Sequence, residues 1–207
     1  EKVYLDYTIR ATDSNSPAGT NDKTVRITIT GANTAPQLID TSLNFTVNED
    51  TQASGSVGQA VSTLISSSNF TDYDYSNPIG IAVIAADTTY GTWYFSTNSG
   101  STWTSFTASD SHALLLTNSA NNRLVFVPTA NWFSGASPIT AGLTIRAWDS
   151  NSGSNGTFAN ITTTGGSTAF STQTDTVALT VVAQNDPPTT TSGTINLSPF
   201  TEGDTDS

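Results

Sequence analysis

The stretch Thr8–Ser16, TIRATDSNS, returns almost unchanged as Thr144–Ser152, TIRAWDSNS. Two further echoes follow in the same order. Val25–Pro36 (VRITITGANTAP) is answered by Val177–Pro188 (VALTVVAQNDPP), and Leu43–Thr51 (LNFTVNEDT) by Ile195–Thr205 (INLSPFTEGDT). Ordered self-similarity at a fixed period marks a tandem array. The period divides the 207 residues into the C-terminal strands of one repeat (1–32), a complete unit (33–184) and the N-terminal part of the next (185–207). Such a layout favours reach and repetition over a single catalytic pocket.

Each echo carries alternation of period two, which predicts strands with one apolar and one wet face. Val3, Leu5, Tyr7 and Ile9 alternate with polar neighbours, as do Val25, Ile27 and Ile29, then Leu43, Phe45 and Val47, then Val177, Leu179 and Val181. Ile81–Ala85 and Leu124–Val127 read as more fully buried strands, and Gly91–Phe106 as a hairpin with Asn98-Ser99-Gly100 at its tip. No amphipathic helix is evident. Many short strands between turn signals predict an all-β, Greek-key β-sandwich. A unit of this size buries roughly 70% of its unfolded surface, so it needs no disulfide.

The two copies differ in length at one place. The offset is 136 between Thr8 and Thr144 but 152 between Val25 and Val177, so the second copy carries 16 extra residues. They fall within Gly153–Ser171, a Gly-, Ser- and Thr-rich stretch expected to form a surface loop or an added hairpin.

Composition narrows the function. The net charge is −11, with six Lys and Arg. Nucleic acid calls for a basic face, and anionic membrane surfaces attract basic segments, so neither is an expected partner. No apolar run approaches the ~18 residues of a membrane span. The chain has no Cys, which excludes a disulfide framework, thiolate metal sites and thiol catalysis.

The carboxylates follow the repeat. Of three Glu, Glu49 and Glu202 occupy corresponding points, and Asp13 corresponds to Asp149. Asp72 and Asp74 form an Asp-x-Asp pair, and Asn33 and Asn185 open Pro-containing junctions, the second as Asn185-Asp186-Pro187-Pro188. An excess of carboxylates repels itself unless a positive charge lies between them, and a divalent cation fills that role.

Glu after the first strand, Asp-x-Asp, a late Asp after Ala-x and an Asn-Asp-x-Pro linker resemble the pattern of cadherin-type domains. Gly91–Thr97, Arg123–Pro128 and Ile145–Asp149 look still more like the cadherin-like and VCBS-type repeats of very large bacterial surface adhesins. The resemblance spans essentially the whole chain. It implies a cadherin-like fold and Ca²⁺ bound between successive repeats. By that likeness Asp72, Asp74 and Asp149 face the Asn33 junction, and Glu49 faces the junction at Asn185 and Asp186. Asp13 and Glu202 face junctions of neighbouring repeats. Thr34 stands where the pattern has Asp, and the mid-domain Asp-x-Glu has no clear match.

The expected function is therefore structural and non-catalytic: a Ca²⁺-rigidified extender in an extracellular or cell-surface bacterial adhesin or filament. Its expected partners are neighbouring repeats. Copies of itself in a fibre, joined by strand complementation, and surface glycans are the alternatives. Glycan stacking would use Trp93, Tyr94, Trp103, Trp132 or Trp148, although aromatics in strands more often build the core. His112, the single His, reads as a polar loop residue. Catalysis would need it in a triad assembled by the fold.

Overall fold

The computed structural model describes residues 2–188, apart from Ser16, Ala18, Ser56 and residues 75–78. The fold is all-β. Strands β1 (Lys2–Thr12) and β2 (Thr20–Thr30) pair antiparallel along their full length, from Lys2↔Thr30 to Thr12↔Thr20. The next strands are β3 (Gln37–Leu38), β4 (Leu43–Asn48), β5 (Gln59–Ala60), β6 (Phe70–Thr71), β7 (Gly80–Ala86), β8 (Gly91–Ser96) and β9 (Thr104–Ser105). They are followed by β10 (Ala113–Thr117), β11 (Arg123–Pro128), β12 (Ile139–Trp148), β13 (Phe158–Ala159) and β14 (Asp175–Val182). The described helical content is one turn at Val61–Leu64 and a 3₁₀ turn at Ser67–Asn69.

Two sheets build the unit between residues 33 and 184. One has the order β13-β10-β7-β12-β14-β4, the other β5-β11-β8-β9, and a short β3-β6 pair stands beside them. Alternation sorts the side chains: β4 reads buried-exposed three times over, with Leu43, Phe45 and Val47 inward. Phe45 and Leu179 of the first sheet share one core with Trp93, Phe95 and Phe126 of the second. Phe45 meets Trp93 edge-on, with ring centroids 5.0 Å apart. The hairpin after Gly91 closes by Tyr94↔Ser105 and Phe95↔Thr104. Ser99 and Gly100 take the positive φ values its tip demands, 60° and 89°.

Strand direction decides which loops meet. β4 and β14 run parallel, with Val177↔Leu43 and Val182↔Asn48 in register. Their C-terminal ends therefore lie together, which brings Glu49 beside residues 183–185. β12 is antiparallel to β14, so Asp149 emerges at the opposite end. β7 is antiparallel to β12, which puts the segment leading into β7, with Asp72 and Asp74, at Asp149's end.

Two expectations need correction. The extra residues within Gly153–Ser171 are more than a surface loop or a self-contained hairpin. β13 joins β10 through Ala113↔Ala159 and Leu114↔Phe158. Ile161, Ala169 and Phe170 close over the outer face of the large sheet and form a second apolar cluster with Ala82, Leu115 and Trp148. The physical reason lies in the repeat itself. Where the first copy has Thr12, the second has Trp148, a ring too large to leave in water, and the insertion covers it. Trp148 Nε1 donates to the Ser152 carbonyl at 2.7 Å, so the polar edge is satisfied too.

The second correction concerns β1 and β2. Their alternation predicts one buried face, yet every residue of both strands is exposed. The polar face carries bidentate Arg10–Asp22 and Arg26–Asp6 pairs, which draw both Asp carboxyls below their usual range. The apolar face carries Val3, Leu5, Tyr7, Ile9, Val25, Ile27 and Ile29, all at least 40% exposed.

Removing the ring of Phe170 tests whether the insertion is structural. Phe170→Ala is expected to lower unfolding stability by about 3 kcal/mol in urea denaturation, the scale of a buried aromatic truncation. A loop that merely decorates the surface would lose no more than about 0.5 kcal/mol.

Candidate functional site

Asp149 directly follows β12 and is 1% exposed. A carboxylate removed from water needs donors, and two reach it. The Asn33 side-chain amide donates to Asp149 Oδ2 at 2.9 Å. The backbone N–H of Asn151 donates to Oδ1 at 2.8 Å, an Asx turn that reverses the chain after the strand. The Asp149 N–H itself donates to the Ala169 carbonyl at 3.1 Å, which ties the strand end to the insertion. Burial nevertheless pushes the Asp149 carboxyl above its ordinary value. The N–H groups of Asn151 and Asn33 pull the other way, and the nearby Asp72 charge adds to the rise.

The segment 33–35 lies across this end. Asn33 also donates to the Thr168 carbonyl at 3.0 Å, and the Ala35 N–H to the Gly166 carbonyl at 2.8 Å. The Thr34 N–H donates to Asp74 Oδ2, and the Asp74 N–H to Asp72 Oδ1 at 2.9 Å. Asn33, Asp72, Asp74 and Asp149, from three distant stretches, are thus brought to one end of the unit.

The donors there are all hard oxygens, the type Ca²⁺ takes. A carboxylate has about four lone-pair positions, so accepting one or two N–H groups leaves capacity for an ion. Among the described residues, no group of three or more His, Cys, Asp or Glu side chains is arranged to hold a metal. An ion here would therefore draw on Asn33 and backbone carbonyls as well as carboxylates.

At the other end, Glu49 is 5% exposed and its Oε1 accepts the Gln184 N–H. The Glu49 N–H donates to the Val182 carbonyl at 3.0 Å. Glu49 thus clasps the exit of β14, one residue short of Asn185. Asn185 lines an open groove of about 1110 Å³ along β4, together with Thr46, Asn48, Asp50 and Arg123. Asp186 is exposed. Asp13 sits in the β1–β2 turn, where its carboxylate accepts the N–H groups of Asn15 and Gly19 at 3.1 and 2.8 Å. Glu202 lies outside the described residues.

The structure also holds groups that sequence reasoning missed. Asp175, 3% exposed, accepts Thr41 N–H at 3.0 Å and Thr176 N–H at 2.7 Å. Its only signal was an acid opening an otherwise apolar strand. The Thr168 and Gly166 carbonyls that hold the linker come from the insertion, whose proximity to Asp149 in sequence was the single clue.

His112 stacks on Phe158, with centroids 4.1 Å apart and planes 2° apart. Ser109 Oγ pairs with Ser111 Oγ at 3.1 Å. Of the aromatics considered for sugar stacking, Trp93 and Trp148 are buried. Trp103 Nε1 donates to the Gly55 carbonyl at 3.1 Å, and Trp132 stacks on Tyr90 at 4.3 Å. Tyr90 and Phe133 are exposed.

No protein-family model, curated protein or solved structure matches this chain.

The raised Asp149 carboxyl sets a pH dependence with a definite sign. A folded-state value above the unfolded one means the folded protein holds its proton longer. Asp149 therefore contributes most favourably at low pH, and that contribution is lost as pH rises from about 4 through the raised value. Thermal melts in EDTA of the native chain and Asp149→Asn isolate it. The native chain is expected to lose stability relative to the variant as pH rises from about 4 to 7.

Proposed function

We propose that the chain is part of an extracellular array of cadherin-like, Greek-key β-sandwich repeats that Ca²⁺ stiffens into a rod. Residues 33–184 are one repeat, β1 and β2 belong to the repeat before it, and 185–207 begin the next. The observation that carries this reading is the convergence of Asn33, Asp72, Asp74 and Asp149 on one end of the unit, with the linker laid across them. Without a cation, Asp72 and Asp149 oppose one another. A divalent ion removes that repulsion and holds the linker, already hydrogen-bonded through Asn33, against the domain end. A flexible joint becomes a fixed one.

The role is mechanical: an extender within a large bacterial surface adhesin or filament, with neighbouring repeats as its partners. Extracellular Ca²⁺ modules bind with dissociation constants of about 10⁻⁴ to 10⁻³ M. An ion at a hundredfold excess over its dissociation constant stabilises the folded form by about 2.7 kcal/mol. The Tyr90–Trp132 stack supports a second reading, a carbohydrate-binding adhesive module, because a broad exposed ring face suits sugar stacking.

The test is a thermal melt in EDTA, in millimolar Ca²⁺ and in Mg²⁺. The expected outcome is a rise of several degrees specific to Ca²⁺ and absent in Asp72→Ala and Asp149→Ala. An identical melt in all three conditions would remove the cation from the account and leave these acids as turn and linker clasps. Glycan screening of a Tyr90→Ala and Trp132→Ala pair would then decide the second reading.

A further inference from the structure

Asn44, Asn69, Asn155, Asn160 and Asn196 each open an Asn-x-Ser/Thr sequence. Asn196 lies outside the described residues. The other four differ in the state of the side-chain amide. Asn69 is 7% exposed, and its Nδ2 donates to Thr41 Oγ1 at 2.8 Å. Asn155 Nδ2 donates to Asn122 Oδ1 at 3.1 Å. Asn44 Nδ2, within β4, donates to the Ser42 carbonyl at 3.2 Å. Asn160 directly follows β13, is exposed, and its Nδ2 meets no acceptor among the described residues.

The Asn160 tripeptide is also held in place. Ile161 is 1% exposed and its N–H donates to the Asp110 carbonyl at 2.7 Å, so a buried anchor lies between two exposed polar residues, Asn160 and Thr162. Thr162 donates twice to Asn160 Oδ1, from its N–H at 3.1 Å and from Oγ1 at 2.9 Å. The corresponding hydroxyl after Asn155, on Thr157, turns instead to the Ser154 carbonyl. The difference has a chemical consequence. An amide nitrogen is a poor nucleophile because its lone pair is shared with the carbonyl. Two donors fixed on Oδ1 stabilise the negative charge that gathers there as Nδ2 gives up a proton, which frees that lone pair.

We propose that Asn160 is a glycosylation site, the acceptor for a sugar carried on a diphosphate donor. Nδ2 attacks the anomeric carbon. The new C–N bond forms as the C–O bond to the diphosphate breaks, and the diphosphate leaves with that electron pair. The Nδ2 proton passes to a base of the transferase. The step involves no change of oxidation state, and it is independent of the cation site. It selects among the described candidates by geometry, since Asn69 and Asn155 would each have to give up a hydrogen bond of the fold to react.

Peptide mapping by mass spectrometry tests it on the folded full chain, incubated with extracts of the cells that make it. One arm supplies soluble extract with uridine diphosphate glucose. The other supplies membranes with their own lipid-diphosphate oligosaccharides, so the arms distinguish the two donors. The expected result is a sugar on Asn160 in one arm, with Asn44, Asn69 and Asn155 bare. Thr162→Ala keeps the Asn160 nitrogen and is expected to cut its occupancy at least about tenfold, while Thr162→Ser retains it. An Asn160 that stays bare in both arms overturns the proposal. So does a sugar placed equally on Asn69 or Asn155, or an occupancy undiminished in Thr162→Ala.

Discussion

The burial of one carboxylate organises this molecule. Asp149 leaves the end of β12 almost without exposure, and it needs hydrogen-bond donors to do so. It takes one from its own turn, through Asn151, and one from a residue 116 positions away, Asn33. The second bond fastens the linker to the unit. Its N–H meanwhile reaches the Ala169 carbonyl, and Asn33 reaches the Thr168 carbonyl, so the insertion is part of the same arrangement. The compensation is incomplete, since burial still holds the carboxyl above its ordinary value with Asp72 close by. On the proposed function, a cation at this end would offset that repulsion.

The rest of the unit makes that placement rigid. β12 lies in the middle of the large sheet between β7 and β14, and its inward residues Leu143, Ile145 and Ala147 are fully buried. An acid at the end of such a strand has little freedom to move. The parallel pairing of β14 with β4 then assigns the two junctions to opposite ends, Asn33 with Asp149 at one and Glu49 with Gln184 at the other. A unit with its entry and exit at opposite poles suits end-to-end stacking. Where the first sequence copy has Thr12 the second has Trp148, a large residue on the outer face of the sheet, and the insertion covers it.

Much of the strand pattern was legible because alternation is a local signal. Leu43, Phe45 and Val47 fall inward as their spacing requires, and Asn98-Ser99-Gly100 turns where its residue types allow positive φ. The fate of Gly153–Ser171 was not legible. Its polar composition describes a loop, and only the position of Trp148 against the sheet reveals why Ile161, Ala169 and Phe170 must fold back. The acids divide the same way. The repeat singled out Asp149 and Asp13 as equivalent, but composition cannot say that one is buried against a linker while the other holds a turn through Asn15 and Gly19. Asp175 was marked only as an acid opening β14, because its partner Thr41, 134 positions away, is defined by how the strands come together.

The central claim is that an ion fixes the linker to the end of the unit. Spin labels can test it directly, since the chain has no Cys of its own. Labels at Thr28→Cys in β2 and Gln173→Cys beside β14 report the distance across the Asn33 segment. The account predicts a broad distance distribution in EDTA that collapses to a narrow one in millimolar Ca²⁺, and stays broad with Asp149→Ala. A distribution that is equally wide with and without Ca²⁺ would contradict it.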